Sequence, residues 1–365
     1  MKILFAGGGT GGHINPALSI ADYFKKHESN FEALFIGTRR GLETRLVPAA
    51  GYDIEYIDIR GFDRRNLLKN IEVIKKLGES RKRCCEIIKE FAPDAVVCTG
   101  GYVSGPVIMA AHKLGIPSMI HEQNVYPGLT VKGSVNYVNC IAVSFPETEK
   151  YIKKHSKCVL TGNPVREEIL NADKQESRKK LGLSDKPFVL VFGGSLGAQK
   201  INDNMVKILP KLISDGKLQL LFGTGTRNYE EIKAQLADMK LTDDIRVVPY
   251  IDNMPDAMAA ADLVVSRSGA ITVSEIAVLE KPSVLIPSPN VVRNHQEQNA
   301  RAFEAKGAAA VICESELTAE TLYDKINELA SDKKALDNMS CEVKKLAEPH
   351  ALEKLYGVIK GLTEK

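Results

Sequence analysis

A glycine-rich turn with a histidine at its end, residues 7–13 (GGGTGGH), lies near the start of the chain. It follows the apolar run 3–6 and precedes a stretch with helical character at residues 16–21. A strand, a tight turn and a helix start in this order present unpaired backbone amides, which favour anions or polar oxygens. The imidazole of His13 can take up a proton near neutral pH. The sequence therefore predicts a functional loop at residues 7–13.

A second glycine-rich turn, residues 193–197 (GGSLG), follows the apolar run 188–192 and precedes another helical stretch. Its consecutive amides, the Ser195 hydroxyl and the helix start can all donate hydrogen bonds. This combination suits a diphosphate. The alternative is a tight strand-to-helix turn that binds no ligand.

Three further polar segments follow apolar runs. Glu275, in the segment 267–275, could accept hydrogen bonds from both hydroxyls of a ribose, or could only add favourable negative charge to a helix start. The run HEQN at residues 121–124 suits either the lip of a cleft or a surface loop. Residues 294–300 carry amide side chains that could bind sugar hydroxyls or begin a solvated helix.

Residues 66–91 form a basic, amphipathic segment. Leu67, Ile71 and Ile74 recur at helical spacing, and Leu68 widens the apolar stripe. Basic residues surround the stripe at Arg60, Arg64, Arg65, Lys69, Lys75, Lys76, Arg81, Lys82 and Arg83. Such a surface suits anionic lipid headgroups, although a stripe at this spacing also suits packing in a protein core.

The charge of the chain is unevenly distributed, although the formal net charge of its 365 residues is only +3. Residues 1–163 carry 22 Lys and Arg against 16 Asp and Glu, and the remaining residues carry 27 against 30. The basic first half suggests an anionic partner such as a membrane surface, or uneven surface charge with no partner.

The sequence also bears on the compartment. No apolar run approaches the length of a transmembrane helix, and the first residues enter a strand rather than a signal peptide. We therefore expect a cytoplasmic protein. The seven cysteines contain no CxxC pattern, which favours free thiols over disulfides or a zinc site.

Short apolar runs alternate with longer helical patterns along the whole chain. The runs lie at residues 3–6, 33–36, 95–98, 118–120 and 141–143, and then at 188–192, 219–222, 246–248, 263–265, 283–286 and 310–313. Short strands that are apolar on both faces and separated by helices indicate parallel sheets covered on both sides. We therefore predict an α/β fold.

The chain contains an internal repeat. The turn at 193–197 repeats the one at 7–13, and residues 263–269 repeat the pattern of residues 95–101. This predicts two Rossmann-like domains, residues 1–163 and 164–344, with a boundary near Gly162, Asn163 and Pro164. Ligands of such folds bind beyond the carboxyl ends of the strands, so we expect one cleft lined by the turns of both domains.

Gly7, Gly9 and Gly12 formally satisfy the dinucleotide-binding fingerprint, which is weak evidence alone. The strand expected to carry an acid for the ribose is followed by Arg39 and Arg40 instead. These arginines could suit a 2′-phosphate, so an NADP oxidoreductase stays open. That function explains neither the second glycine turn nor the other motifs.

Together and in this order, the motifs resemble those of the MurG family, the peripheral membrane N-acetylglucosaminyltransferases of peptidoglycan synthesis. The resemblance covers essentially the whole chain. It is carried by GGTGGH at 8–13, GGYVSGP at 100–106, HEQN at 121–124, GNPVR at 162–166, GGSLG at 193–197 and residues 266–275.

The resemblance implies a GT-B fold, in which two Rossmann-like domains with parallel sheets face each other across a cleft. It implies transfer of GlcNAc from UDP-GlcNAc to lipid I, undecaprenyl-diphospho-MurNAc-pentapeptide, to form lipid II with inversion at the sugar. UDP-GlcNAc would bind mainly to the C-terminal domain and lipid I to the N-terminal domain, at the cytoplasmic face of the membrane. The last helix, about residues 345–365, would pack back on the first domain.

The resemblance also implies which ligands are not needed. The family uses no obligatory metal in the site, and the sequence offers no Asp-x-Asp triplet. We expect no cofactor and no nucleic-acid partner.

Roles for individual residues follow from the same resemblance. His13 resembles the proposed catalytic base, and Tyr102 and His121 are expected near the acceptor. The donor-binding residues would be Arg166 and Ser195 at the diphosphate, the backbone of Ile251 at uracil, Gln296 at GlcNAc, and Asn124, Thr10, Gly11 and Gly12 on the donor-sugar side. The nucleoside loop would consist of Ala270, Ile271, Thr272, Val273, Ser274 and Glu275, with Glu275 at the ribose.

Other functions stay open at this point. Another GT-B transferase would use a different acceptor. A UDP-GlcNAc 2-epimerase would share the fold and the donor, but would convert the donor to UDP-ManNAc without a lipid. A non-catalytic sensor would bind the sugar nucleotide without turnover, and an NADP oxidoreductase would bind NADPH at the first glycine turn.

Overall fold

The computed structural model describes residues 1–61, 69–153, 157–194 and 197–364. The chain divides into two units. Unit 1 consists of Met1–Val165 and His350–Lys365, and unit 2 consists of Arg166–Pro349.

Unit 1 is built on a parallel sheet. Its described residues form the strands β1 (Lys2–Gly7), β2 (Glu32–Gly37), β3 (Asp53–Tyr56), β4 (Ala95–Gly100), β5 (Ser118–Glu122), β6 (Cys140–Val143) and β7 (Cys158–Leu160). The order across the sheet is β3-β2-β1-β4-β5-β6-β7, with parallel neighbours throughout. In this register Phe5 of β1 lies between Phe35 of β2 and Val97 of β4.

Both faces of this sheet are packed, because alternate side chains of a strand point to opposite sides. Leu4 belongs to one buried core cluster, whereas Ile3 and Phe5 belong to another. The helices of this part of the chain are α1 (Gly11–His27), α2 (Glu43–Ala49), α3 (Lys69–Phe91), α4 (Ser104–Leu114) and α5 (Leu129–Ser134), and a 3₁₀ helix spans Pro146–Tyr151.

The apolar runs in the sequence do not mark β3 or β7, the two edge strands of this sheet. Asp53 and Glu55 alternate with Ile54 and Tyr56 in β3, so the strand contains no continuous apolar run. In β7, Val159 is 40% exposed. Edge strands are more exposed to water than inner strands, so their side chains need not be apolar on both faces of the sheet. The continuous apolar run that identifies an inner strand is therefore missing.

Unit 2 contains a second parallel sheet. In its described part the strands are β8 (Phe188–Phe192), β9 (Gln219–Gly223), β10 (Ile245–Val248), β11 (Leu263–Ser266), β12 (Ser283–Leu285) and β13 (Ala310–Val311), in the order β10-β9-β8-β11-β12-β13. Its helices are α6 (Glu167–Leu170), α7 (Lys174–Leu181), α8 (Gln199–Asp215), α9 (Tyr229–Gln235), α10 (Met254–Ala260), α11 (Ala270–Val278), α12 (His295–Glu304), α13 (Ala319–Ser331) and α14 (Lys333–Lys344). A 3₁₀ helix spans Val292–Asn294.

Each of these six strands coincides with an apolar run of the sequence. The prediction of two α/β domains with parallel sheets is therefore confirmed. The first strand of each unit, β1 in unit 1 and β8 in unit 2, lies in the interior of its sheet and leads into a glycine turn. Each turn therefore lies at the carboxyl end of an inner strand.

The last helix, α15 (Ala351–Thr363), belongs to unit 1 and packs against α1. Leu355 and Ile359 are buried in the same cluster as Phe24 of α1. At the surface, Lys360 lies 2.8 Å from Glu28 and, together with a hydrogen bond from the Tyr356 hydroxyl, lowers the pKa of that carboxyl.

The basic segment is only partly described. Leu67 and Leu68 lie outside the described residues, and so do the side chains of Ile71 and Ile74. Towards the end of α3, Cys84, Ile87 and Ile88 are buried in the core of unit 1. This part of the helix is therefore core, while the two interpretations of the apolar stripe itself stay predictions.

Candidate active site

The first glycine turn joins β1 to α1. Gly9 has a φ of +88°, a left-handed conformation that favours glycine. Thr10 is extended and precedes the helix, and the His13 amide donates to the Thr10 carbonyl at 3.1 Å. His13 therefore lies in the first turn of α1, where backbone amides without helical partners are concentrated.

The His13 ring has a defined orientation. Its Nδ1 lies 3.1 Å from the Gly8 carbonyl oxygen and 3.4 Å from Thr10 Oγ1. The ring packs on Gly100, since a Cβ at that glycine would lie 3.1 Å from Nε2. A carbonyl oxygen only accepts hydrogen bonds, so Nδ1 carries the proton and Nε2 carries the lone pair of the neutral ring. This tautomer makes Nε2 the atom that can act as a base.

Tyr102 lies beside the same turn. A Cβ placed at Gly9 would lie 3.8 Å from Cε1 of the Tyr102 ring, which is partly exposed. The structure thus brings Tyr102 to the turn that carries Thr10, Gly12 and His13, at one end of the sheet of unit 1, although Tyr102 is far from this turn in the sequence.

Asn124 is held in place by a buried carboxylate. Glu122 Oε1 accepts from the backbone amide of Asn124 at 2.9 Å and from its side chain at 3.2 Å. Glu122 Oε2 accepts from the amide of Gly128 at 2.7 Å. Burial raises the pKa of Glu122, and these hydrogen bonds oppose the shift. The carboxylate therefore fixes the loop that presents Asn124.

His121 is fully buried in β5. Its Nδ1 lies 2.9 Å from the side-chain nitrogen of Gln123, and its Nε2 lies 3.0 Å from the Gly162 carbonyl. Burial lowers the pKa of His121 to about 4, so the ring is neutral at physiological pH. The sequence led us to expect this side chain near the acceptor, but the structure gives it an interior position, and we assign it no contact with a substrate.

In unit 2, Arg166 and Glu275 form an ion pair across a long distance in the sequence. The guanidinium Nη2 lies 3.5 Å from Oε1 of Glu275. The Glu275 side chain is 11% exposed, whereas that of Arg166 is 50% exposed. Burial raises the pKa of Glu275, and the charge of Arg166 opposes this shift. Arg166 and Glu275, which the resemblance assigns to the diphosphate and the ribose of UDP-GlcNAc, are thus neighbours in the structure.

The expected nucleoside loop is helical. Residues 270–275 form the first part of α11, and Gly269 precedes the helix in an extended conformation. Val273 packs in the interior, whereas Ile271, Thr272 and Ser274 are partly exposed. The amides at this helix start form the positive end of the helix dipole, which favours an anion.

Gln296 is attached to the turn that precedes α11. Its side-chain oxygen accepts from the amide of Ser288 at 2.8 Å, and its backbone carbonyl accepts from the Ser268 hydroxyl at 2.8 Å. Asn299, one turn further along α12, donates to the Ser268 carbonyl at 3.2 Å. The structure therefore places Gln296 close to the start of the nucleoside loop.

Ile251 lies beyond β10, beside the end of β9. A Cβ at Gly223 would lie 2.8 Å from Cδ1 of Ile251, so the Ile251 side chain packs closely on this glycine. Among the described residues, the amide and the carbonyl of Ile251 have no hydrogen-bond partner. These backbone groups can therefore bind an external ligand.

Ser195 lies outside the described residues, so its position stays a prediction. The flanking glycines are described. Gly197 has a φ of +79°, and a Cβ there would overlap the Thr224 carbonyl oxygen. A Cβ at Gly193 would overlap the amide nitrogen of Ala198, directly before α8. The turn needs glycine at both positions.

Two functional candidates were not recognised in the sequence. Arg267 donates to the carbonyls of Ile286 and Pro287 at 3.1 and 3.2 Å and pairs with Glu314. It thereby joins the segments that follow β11, β12 and β13, next to the nucleoside loop. The second candidate is Glu43, a buried carboxylate behind the first glycine turn. For Arg267, the one signal in the sequence is its charge directly after a buried strand.

Among the residues that the structure describes, no group of three or more His, Cys, Asp or Glu side chains could hold a metal ion. In the same part of the chain, no helix has both the length and the apolar character needed to cross a bilayer.

Comparison with known proteins identifies one family. The glycosyltransferase family 28 N-terminal domain matches residues 3–143, and the family 28 C-terminal domain matches residues 188–355. A relative from Acetivibrio thermocellus is 46% identical over 363 residues, covering 99% of this chain and 98% of the relative. Its name is UDP-N-acetylglucosamine--N-acetylmuramyl-(pentapeptide) pyrophosphoryl-undecaprenol N-acetylglucosamine transferase.

Solved structures agree with this match. The crystal structure of Acinetobacter baumannii MurG is 30% identical, with a TM-score of 0.79 and 99% of both chains covered. A UDP-GlcNAc 2-epimerase from Neisseria meningitidis, bound to UDP-GlcNAc, gives a TM-score of 0.68 over 99% of this chain and all of that chain. The epimerase is only 12% identical, so its likeness concerns the fold alone.

Proposed function

The chain belongs to glycosyltransferase family 28 and, within it, to the MurG group of N-acetylglucosamine transferases, and we propose how its own residues carry out that reaction. The enzyme transfers GlcNAc from UDP-GlcNAc to the C4 hydroxyl of MurNAc in lipid I, which forms lipid II. The roles of individual residues and the place of the reaction at the membrane are our proposals.

The observation that carries the donor site is the ion pair between Arg166 and Glu275. Glu275 accepts hydrogen bonds from the two ribose hydroxyls, because a carboxylate has acceptor positions for both. Arg166, which is half exposed, donates to the diphosphate, where a guanidinium forms strong charge-assisted hydrogen bonds. In this pair the charge of Arg166 opposes the rise that burial causes in the pKa of Glu275, and the pairing holds both side chains near their targets.

Backbone groups complete the donor site in this proposal. The amides at the start of α11, together with Ser195 and the start of α8, bind the diphosphate oxygens. The amide and the carbonyl of Ile251 bind uracil, which offers both acceptors and a donor. Gln296 contacts the GlcNAc hydroxyls, and Asn124 and residues 10–12 bind on the donor-sugar side.

His13 acts as the general base. Its Nε2 takes the proton of the C4 hydroxyl while the oxygen forms a bond to the anomeric carbon of GlcNAc. The bond from that carbon to UDP breaks on the opposite face, its electron pair leaves with UDP, and the sugar configuration inverts. The negative charge that develops on UDP is stabilised by Arg166 and by the helix-start amides.

The membrane location is a separate proposal. Lipid I carries an undecaprenyl chain, so the enzyme must work at a membrane surface, on the cytoplasmic side where UDP-GlcNAc is available. The basic residues between Arg60 and Arg83 supply positive charge for anionic headgroups, and Leu67 and Leu68 supply apolar contact. Each lysine or arginine near such a surface contributes about 1 kcal/mol.

One assay tests the proposed reaction. Radiolabelled UDP-GlcNAc is incubated with and without a lipid I analogue, while UDP release is measured in parallel. We expect label in the lipid product and equimolar UDP only when the acceptor is present. Formation of UDP-ManNAc without acceptor would instead identify an epimerase, and tight binding without turnover would identify a sensor.

A further inference from the structure

A buried glutamate lies directly behind the first glycine turn. Glu43, the first residue of α2, is 1% exposed. Its Oε2 accepts from the amide of Gly9 at 3.1 Å, and its Oε1 accepts from the amide and the hydroxyl of Thr38 at 3.0 and 2.9 Å. No basic side chain among the described residues forms an ion pair with it. Three neutral donors thus stabilise a carboxylate whose burial is costly without partners.

The chain makes room for this carboxylate with glycines from separate segments. A Cβ at Gly41 would overlap the Glu43 carboxylate. Added Cβ atoms would also lie 3.0 Å from Oε1 at Gly8 and 2.6 Å from Cγ at Gly37. The carboxylate can therefore approach the backbone of the first turn as closely as a hydrogen bond requires.

The peptide group between Gly8 and Gly9 connects Glu43 to His13. Its N–H belongs to Gly9 and donates to Glu43, while its C=O belongs to Gly8 and accepts from His13 Nδ1 at 3.1 Å. In a planar trans peptide the N–H and the C=O point in opposite directions. The carboxylate, the peptide and the imidazole therefore form one continuous chain of hydrogen bonds.

We infer that Glu43 is a positioning residue for His13 and acts through the Gly8–Gly9 peptide. The negative carboxylate polarises the peptide, which strengthens the Gly8 carbonyl as an acceptor. The stronger acceptor holds the proton on Nδ1 and supports the positive charge that His13 gains at Nε2. In serine hydrolases an aspartate does this by direct contact with the imidazole, and here one peptide group lies between the two side chains.

This inference rests on the proposed role of His13 as the base, but its first test does not depend on activity. The protein is labelled with ¹⁵N-histidine, and the ring nitrogens are recorded at about pH 8.5, where an ordinary histidine is neutral. His13→Gln identifies the His13 signals by their disappearance. We expect the proton of wild-type His13 on Nδ1. A proton mainly on Nε2 would overturn the inference without any variant of Glu43.

Glu43→Gln then tests the connection. A glutamine at this position must turn its NH₂ group towards either Gly9 or Thr38, and both of these residues donate hydrogen bonds. The Gly8–Gly9 peptide therefore loses its acceptor, or the glutamine side chain moves. We expect the His13 signals to shift towards a mixture of tautomers. Glu55→Gln is the matched control, because Glu55 lies in the same unit and pairs with Arg83 at the surface. An unchanged tautomer in Glu43→Gln would contradict the inference.

Kinetics provide the second readout. In Glu43→Gln we expect kcat to fall about 10- to 100-fold, the range for one hydrogen bond to a charged group, with the KM for UDP-GlcNAc within about twofold of wild type. In a His13→Ala background the same substitution should cause no further loss, and an additional loss of equal size would contradict the inference. If Glu43→Gln does not fold, Glu43→Asp, which keeps the charge but is shorter, replaces it.

The two proposals can fail separately. A normal kcat in His13→Ala would reject His13 as the base, while a shifted tautomer in Glu43→Gln would still establish the connection. A reduced kcat in His13→Ala together with an unchanged tautomer in Glu43→Gln would retain the base and reject the role of Glu43.

Discussion

The two units use the same strand, glycine turn and helix, but they support the turn differently. In unit 1 the turn is backed by the carboxylate of Glu43 and ends in His13. In unit 2 the turn rests on the Thr224 carbonyl, which also accepts from Asn202 at 2.8 Å, and residues 193–197 include no titratable side chain. One turn is thus suited to accept a proton, and the other is suited to hold an anion by backbone amides.

The two buried glutamates differ in the same way. Glu43 is enclosed, and its donors are two backbone amides and the buried Thr38 hydroxyl, as expected for a residue with a permanent structural partner. Glu275 is paired with Arg166, which is half exposed and can turn towards a ligand. A buried carboxylate with an exposed partner is therefore a better candidate for substrate binding than one whose partners are all internal.

Removal of the imidazole should have the largest effect. His13→Ala should lower kcat about 100- to 10,000-fold, the usual contribution of a general base, and leave UDP affinity nearly unchanged. Turnover with a lipid I analogue and calorimetric titration with UDP measure the two quantities. His112→Ala, which changes an exposed histidine of unit 1, serves as the control. Normal turnover in His13→Ala would remove the proposed difference between the turns.

A methyl group added to the second turn tests its packing. Gly197→Ala combines a φ of +79° with overlap of the Thr224 carbonyl, so we expect a loss of about 2–4 kcal/mol in the free energy of unfolding. Gly216→Ala has a φ of +59° but no neighbour within 4 Å, and should cost about 1 kcal/mol. Denaturant titration measures both, and equal losses would show that packing on Thr224 is unimportant.

Truncation of Glu275 should weaken donor binding. Glu275→Ala should reduce the affinity for UDP-GlcNAc about 10- to 100-fold, because hydrogen bonds between the ribose hydroxyls and a charged group are lost. Glu280→Ala is the control, since Glu280 pairs with Lys344 on the surface of the same unit. Unaltered affinity in Glu275→Ala, measured by calorimetry, would remove this residue from the ribose site.

The same residue predicts a pH dependence. Burial raises the pKa of Glu275, so its carboxylate takes up a proton at a higher pH than an exposed glutamate does. The protonated group is a weaker acceptor, and UDP-GlcNAc affinity should therefore fall as the pH is lowered, beginning above the range in which an exposed glutamate titrates. In Glu275→Gln the affinity should be lower throughout and should lose most of this dependence. Parallel profiles for the two proteins would contradict the assignment.

Membrane docking gives the smallest predicted effect and concerns unit 1 alone. Replacing Leu67, Leu68 and Ile71 by serine should weaken binding to anionic vesicles about tenfold, because apolar area that enters the interface is lost. Activity on a short-chain, soluble acceptor should not change. The melting temperature is measured first, since Ile87 and Ile88 of α3, later in the same basic segment, are core. Undiminished vesicle binding by a folded variant would show that another surface docks.

The sequence predicted the inner strands well, because strands buried on both faces leave continuous apolar runs. It did not predict β3, where Asp53 and Glu55 interrupt the pattern, or the exposed strand β7. Edge strands are determined mainly by pairing with a neighbour that is distant in the sequence.

The site was predicted where it depends on local motifs, and less well where it depends on tertiary contacts. Residues 7–13 form the expected turn, but nothing beside Glu43 in the sequence indicates that its carboxylate reaches Gly9. The polar run at residues 121–124 resembles an exposed loop, yet β5 is an inner strand and encloses His121. Burial of this kind follows from the strand order, which a local motif does not contain.

The most direct test of this account is a crystal structure of the protein with UDP bound. We predict the ribose hydroxyls within hydrogen-bond distance of the Glu275 carboxylate, with Arg166 turned from Glu275 towards the diphosphate. Nucleotide bound at residues 7–13 of unit 1, with the Arg166–Glu275 pair unchanged, would contradict the account.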